Sequence, residues 1–69
     1  QGRLAAVEVK AGKTGGRVSR AQRSFVDAYG PERLFIVGSD EHPPRDVAST
    51  RIEFIGAEEV GPAVRRWLG

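Results

Sequence analysis

At 69 residues the chain has room for one domain at most, and a domain of that size buries only about 60% of the surface its unfolded chain exposes. The absence of cysteine excludes disulfides and thiolate zinc sites as compensation, and no apolar run approaches the roughly 20 residues of a membrane helix. The formal charge is +2, with nine Arg and two Lys, and five of these cations (Lys10, Lys13, Arg17, Arg20, Arg23) fall within fourteen residues.

In chain order, residues 3–11 read as a strand. Leu4, Ala5, Ala6, Val7 and Val9 make it apolar on both faces until Glu8 and Lys10 interrupt it. A strand buried on both faces belongs at the centre of a helix-covered sheet, so a central position is expected. Glu8 and Lys10 are two residues apart and therefore share a face. Gly12-Lys13-Thr14-Gly15-Gly16 is a loop, with glycines that permit positive φ. Ser19 is a helix N-cap. The spacing predicts a helix from Arg20 to Tyr29, with Gln22, Phe25, Val26 and Tyr29 on one face and Arg20, Arg23 and Asp27 elsewhere. Gly30-Pro31 ends it.

Leu34 to Gly38 is a second, continuous apolar strand, and strand–helix–strand at this spacing is a βαβ unit with parallel strands and a right-handed crossover. Ser39 to Thr50, containing Pro43-Pro44, reads as a polar loop. His42 sits there with Asp40, Glu41 and Asp46, and a solvated loop is the expectation for them. Arg51 to Ile55 alternates Ile52 and Phe54 against Arg51 and Glu53, which suggests an edge strand with one wet face. A closing amphipathic helix runs from Ala57 to Leu68, bent or split by Gly61-Pro62, with Val60, Val64, Trp67 and Leu68 as its buried face.

Two charges on one face of an apolar strand are costly unless they have a use. Glu is a hard oxygen ligand suited to Mg²⁺, and Lys can neutralise charge building on a phosphoryl group or help position a water. The backbone carbonyl of Val9 between them is a further oxygen donor. A bare Glu-x-Lys occurs by chance in roughly one chain in four of this length, so the context has to sharpen it. The bland alternative is an ion pair across the strand face. The cations that follow are mostly Arg, whose planar fork suits phosphate. Lys13, Arg17, Arg20 and Arg23 are the candidate nucleic-acid contacts.

The run Val7-Glu8-Val9-Lys10-Ala11-Gly12, the basic glycine loop, Ser19-Arg20-Ala21-Gln22 opening a helix, and then Gly30 and the strand Leu34 to Val37 resemble the central part of PD-(D/E)XK nucleases. The VRR-NUC and Holliday-junction-resolvase-like branches are the most similar, and the likeness covers about the first forty residues. The resemblance implies Glu8 as metal ligand, Val9 as ligand through its carbonyl, Lys10 as catalytic lysine, and Gln22 near that lysine, bonding a water or the scissile phosphate. Some members carry a Tyr three or four residues after the Gln. Here those positions are Phe25 and Val26. The family's metal site also uses an Asp, usually on the hairpin ahead of the Glu-x-Lys strand, and none of the seven residues before Glu8 is acidic. A segment ahead of the chain, a second chain, or a degenerate site would account for the missing acid, and Asp40, after the second strand, approaching from the carboxyl edge is the less favoured alternative.

The expectation is therefore an α/β fold over residues 1–69 as a single domain, a small mixed sheet with a parallel βαβ unit: a restriction-endonuclease-like core, incomplete at the N-terminus. The expected function is Mg²⁺- or Mn²⁺-dependent phosphodiester hydrolysis on nucleic acid, DNA ahead of RNA, or the Glu-x-Lys half of such a site. The alternative is a catalytically inactive, nuclease-derived module that binds nucleic acid or protein within a larger protein such as an ATPase. The small core, and Gln1-Gly2-Arg3 leading at once into a strand, suggest a homodimer or a segment of a longer protein. The cytoplasm is the expected location.

Overall fold

The computed structural model describes residues 3–69, so Gln1 and Gly2, read above as leading into the first strand, lie outside the described residues. Four strands and two helices follow in the order β1 (Ala5–Val9), α1 (Arg20–Tyr29), β2 (Arg33–Val37), β3 (His42–Val47), β4 (Thr50–Ile55) and α2 (Val60–Leu68). The strands form one mixed sheet in the order β1-β2-β4-β3. β1, β2 and β4 are parallel, and β3 runs antiparallel to β4.

Local chemistry sets α1. The Ser19 hydroxyl accepts from the Gln22 amide, and the Gln22 carboxamide oxygen accepts from the Ser19 amide, a reciprocal capping box that satisfies two otherwise orphaned donors. Gly30 ends the helix in the left-handed region, at φ 53 and ψ 49, with its N–H on the Val26 carbonyl. Pro31 follows, and its carbonyl accepts from the buried Thr50 hydroxyl, tying the end of α1 to the start of β4.

Alternation along the strands divides the sheet into two faces. On the α1 face, Leu34 and Ile36 of β2 stand beside Ile52 and Phe54 of β4, and Val26 of α1 closes the core over them. Burial of each of these apolar side chains contributes about 1.5–3 kcal/mol. Phe35 and Val37 point to the other face and are also buried, and α2, with Ala63 buried, is the element left to cover them.

Two expectations about strand position are corrected. β1 is not central. Among the described residues nothing pairs with its outer side, and Val7 and Val9 are 48% and 75% exposed. The apolar run was compatible with a covered strand, but the cover over β1 reaches only part of the α1 face. Conversely, β4 is internal, and the edge beyond it is β3, within the segment read as a loop. Pro43 and Pro44 donate no main-chain hydrogen bond. Such residues are tolerated on an edge strand, and the pairing register shifts between His42 and Arg45 to accommodate them. The alternation of β4 was real, but its partly wet face is the one carrying Arg51 and Glu53, not a free edge.

The closing helix is divided earlier than Gly61-Pro62. A single 3₁₀ turn, Ala57–Glu59, leads into α2, and Pro62 lies in the first turn of α2, where no amide donor is needed. Val60, Val64 and Trp67 are half-buried, but Leu68 is exposed, and Ala63 is the buried residue of α2. The Arg3 guanidinium lies 4.6 Å from the Trp67 ring centre and forks onto Glu32 at 2.8 and 3.0 Å, which joins the start of β1 to β2 and α2. No helix among the described residues is long and apolar enough to cross a membrane.

Candidate active site

β1 carries Glu8 on the face turned to α1. Gln22, one turn into α1 and 2% exposed, donates from Nε2 to Glu8 Oε1 at 3.1 Å. The same carboxamide already accepts from Ser19 through its oxygen, at 2.7 Å. Both polar atoms of Gln22 are thus engaged. This geometry holds Gln22 between the helix cap and Glu8. Glu8, Gln22, Ala6, Phe25 and Leu34 line a groove of about 260 Å³ between β1 and α1.

Lys10 has the same parity as Glu8 but is in no ion pair with it or with any other carboxylate among the described residues. The bland ion-pair reading of Glu8 and Lys10 therefore does not hold. Lys10 instead lines a second cleft, of about 400 Å³, at the carboxyl end of the parallel strands, with Val9, Gly12, Ser39, Glu41 and Glu58. Glu8 and Gln22 are brought together, and Lys10 stands next along the strand on the adjoining cleft.

The ladder fixes where the Val9 carbonyl points. The Lys10 amide donates to Val37 O at 2.8 Å, and Leu4 O accepts from the Glu32 amide at 2.7 Å. The even-numbered residues of β1 thus turn their main-chain groups to β2. Those of Ala5, Val7 and Val9 point out of the open edge. The Val9 carbonyl is consequently available as an oxygen donor next to Glu8. Among the described residues no group of three or more His, Cys, Asp or Glu is placed to hold a metal ion. Glu8 and Val9 offer one carboxylate and one carbonyl, a hard-oxygen pair of the kind Mg²⁺ accepts when waters and substrate phosphates fill the remaining positions.

No protein family, curated protein or solved structure matches the chain.

Asp40 does not join Glu8. Its Oδ1 accepts from the Thr14 amide at 2.7 Å and the Thr14 hydroxyl at 3.1 Å, and its Oδ2 accepts from the Gly15 amide at 2.9 Å and faces His42 Nε2 at 2.8 Å. The Thr14 amide above all, against the opposing effect of desolvation and with help from His42, Gly15 and the Thr14 hydroxyl, holds the Asp40 carboxyl well below the usual carboxylate range. The less favoured alternative, Asp40 approaching the site from the carboxyl edge, does not hold: its oxygens are spent on the glycine loop. His42, expected in a solvated loop, begins β3, packs edge-on against Phe54 and is Asp40's partner. This clasp was not legible from spacing, because Thr14 and Asp40 are 26 positions apart. The only hint was an acid directly after the second strand.

Lys13, Arg17, Arg20 and Arg23 are all exposed, and none is in an ion pair among the described residues. Lys13 and Arg17 lie on the loop that follows β1, and Arg20 and Arg23 on the first turn of α1.

Proposed function

We propose that this chain supplies the Glu-x-Lys part of a magnesium- or manganese-dependent nuclease with a restriction-endonuclease-like core, acting on DNA. The observation that carries the reading is the 3.1 Å hydrogen bond from Gln22 to Glu8. A buried carboxamide is used to fix one exposed carboxylate on a strand whose next same-face residue is an unpaired lysine. That arrangement presents the Glu8 carboxylate in one orientation as a ligand, while the other end of Gln22 holds the helix cap.

In this reading Glu8 and the Val9 carbonyl hold the metal, which when bound polarises a phosphate oxygen and lowers the pKa of a water. Gln22 keeps the Glu8 carboxylate in one orientation, so that little ordering is left for the bound state. Lys10, in no ion pair among the described residues, faces the charge that develops on the phosphoryl oxygens. Lys13, Arg17, Arg20 and Arg23 hold the nucleic-acid backbone.

One observation favours a second reading, a nuclease-derived module that binds nucleic acid or protein without cleaving. Asp40 is diverted to the loop, and Glu8 is left as the one carboxylate in its groove. Calorimetric titration of Mn²⁺ into the chain and into Glu8→Ala, with a supercoiled-plasmid nicking assay on both, separates the readings. Metal binding and nicking that both vanish with Glu8→Ala support the nuclease. Binding of DNA without Glu8-dependent metal uptake or nicking supports the module.

A further inference from the structure

We propose that Asp40 is a positioning residue for phosphate binding: through the glycine loop it sets Lys13 and Arg17 where a nucleic-acid backbone meets them. The inference rests on the phosphodiester reading above.

The loop between β1 and α1 holds Gly12, Gly15 and Gly16 at φ 148, 68 and 67, conformations that a free chain would leave readily. The connection from β2 to β3 grips it at successive points. The Ser39 amide donates to Gly12 O at 3.0 Å. Asp40, whose side chain is 17% exposed, takes the amides of Thr14 and Gly15 and the Thr14 hydroxyl. The His42 ring packs onto Gly16 so closely that a Cβ there would lie 2.9 Å from Cγ. Lys13 is therefore flanked by two held residues. The Arg17 stem lies over Gly15, where an added Cβ would be 3.8 Å from Arg17 Cγ and Nε. Both cations are exposed and, among the described residues, in no ion pair. Their backbone is already ordered, so binding costs less conformational entropy than it would on a mobile glycine loop.

The same geometry decides how phosphate is met. Amides of a glycine loop can cradle an anion directly. Here the Thr14 and Gly15 amides are already occupied by the Asp40 carboxylate, so phosphate contact falls to the Lys13 and Arg17 side chains. Each phosphate they neutralise contributes about 0.9 to the slope of log affinity against log salt.

Net charge and positioning predict opposite signs on removal of Asp40. Neutralising an acid beside a phosphate site tightens binding on charge alone. If Asp40 positions the loop, binding weakens. The test measures duplex-DNA affinity by fluorescence anisotropy across a salt series for the full chain, Asp40→Asn, Asp40→Ala, Lys13→Ala/Arg17→Ala and the triple variant, each verified as folded by its thermal transition. The expected result is weaker binding by Asp40→Asn and Asp40→Ala and a salt slope lower by about 1–2. No further loss is expected when Asp40→Ala is added to Lys13→Ala/Arg17→Ala. Should Asp40→Ala fail to fold, Asp40→Asn, which keeps an acceptor for the Thr14 amide, carries the comparison. Tighter binding by Asp40→Asn, an unchanged slope, or additivity with the loop cations overturns the inference and leaves the phosphate reading standing. Wild-type binding that is absent, or indifferent to Lys13 and Arg17, overturns both.

Discussion

Replacing Gln22 by Glu separates the two tasks that its carboxamide performs. Glu accepts from the Ser19 amide as Gln does, so the capping box survives. The donor to Glu8 is lost, and a second carboxylate stands where Nε2 lay 3.1 Å from Glu8 Oε1. A hydrogen bond to a charged group is worth about 1.5–3 kcal/mol when shielded, and the exposure of Glu8 places this one near about 1 kcal/mol. Two like charges some 4 Å apart repel by about 1–4 kcal/mol for effective dielectrics between water and the protein surface, and exposure again favours the lower part of that range. Gln22→Glu should therefore lose about 2–3 kcal/mol at neutral pH and low salt. Part of the loss should return at high salt as the repulsion is screened. Glu8→Gln in the same chain rebuilds the bond in reverse, with Gln at position 8 donating to the new carboxylate, and should restore about 2 kcal/mol of coupling in a double-mutant cycle. Urea unfolding of the four proteins at two salt concentrations reads all of these quantities. If Gln22→Glu lies within about 0.5 kcal/mol of the wild type, or the two substitutions simply add, the Gln22–Glu8 contact does not orient Glu8 and the case for the site falls with it.

Acid titration tests the Asp40 clasp. The Asp40 carboxyl is depressed in the folded chain by the Thr14 amide first, so its stabilisation is complete above the ordinary aspartate value near about 4 and drains as pH falls below it. Asp40→Asn should flatten the fall of the unfolding midpoint in that acid range, and curves that run parallel to the wild type would contradict the clasp. Ala48 opens the two-residue turn between β3 and β4 at φ 54, a left-handed position that suits glycine. Ala48→Gly should raise stability by about 0.5 kcal/mol in denaturant unfolding, the relief of strain exceeding the added freedom of the unfolded chain, and a loss of stability would mean the turn holds no strain. The open edge of β1, with Val7 and Val9 exposed, predicts association of copies through it. Val9→Lys should lower the mass found by light scattering at high protein concentration, and an unchanged mass would exclude that edge.

The parts of the fold that were legible in the sequence are those fixed by neighbours in the chain. Ser19 with Gln22 three residues on, and Gly30 before Pro31, set both ends of α1 by bonds that close within a few residues. Leu34 to Val37 announced β2 because a short continuous apolar run between turn signals leaves little else. The misread features are non-local. Whether β1 has one partner or two depends on what lies beside it, and an apolar run looks the same in either place. β3 was hidden because Pro43 and Pro44 read as loop residues, and they are loop-like in every respect except that an edge strand can do without their donors. The pairing of Glu8 with Gln22 was within reach, since alternation faced Glu8 out of the sheet and helical spacing faced Gln22 inward. The engagement of both ends of Gln22, and the diversion of Asp40 to Thr14 and Gly15, needed three-dimensional contacts.

The placement of the site relative to the core bears on how its chemistry can be tested. Val26, Leu34, Ile36, Ile52 and Phe54 close the core under β2 and β4, and β1 meets it through the partly buried Ala6. Glu8, Lys10 and Val9 are all exposed, and Lys13 and Arg17 extend from the loop beyond them. An exposed substitution without a hydrogen-bond partner, such as Lys10→Ala, usually costs less than about 0.5 kcal/mol, whereas Glu8→Ala also gives up the Gln22 bond and about 1 kcal/mol with it, so its thermal transition is read beside any metal titration. Gln22 differs from both, because it is buried and carries the cap. A loss of function in Gln22→Ala therefore means little unless the Gln22→Glu and Glu8→Gln pair shows the same loss and the same recovery. The strand that carries Glu8 and Val9 is also the strand whose outer edge has no partner among the described residues. Its main-chain donors and acceptors at Ala5, Val7 and Val9 are free to meet a metal, a nucleic acid or another strand, and a ligand that takes the Val9 carbonyl competes with any strand that pairs there. DNA or Mn²⁺ binding and self-association should accordingly oppose one another, each weakening as the other is driven to saturation.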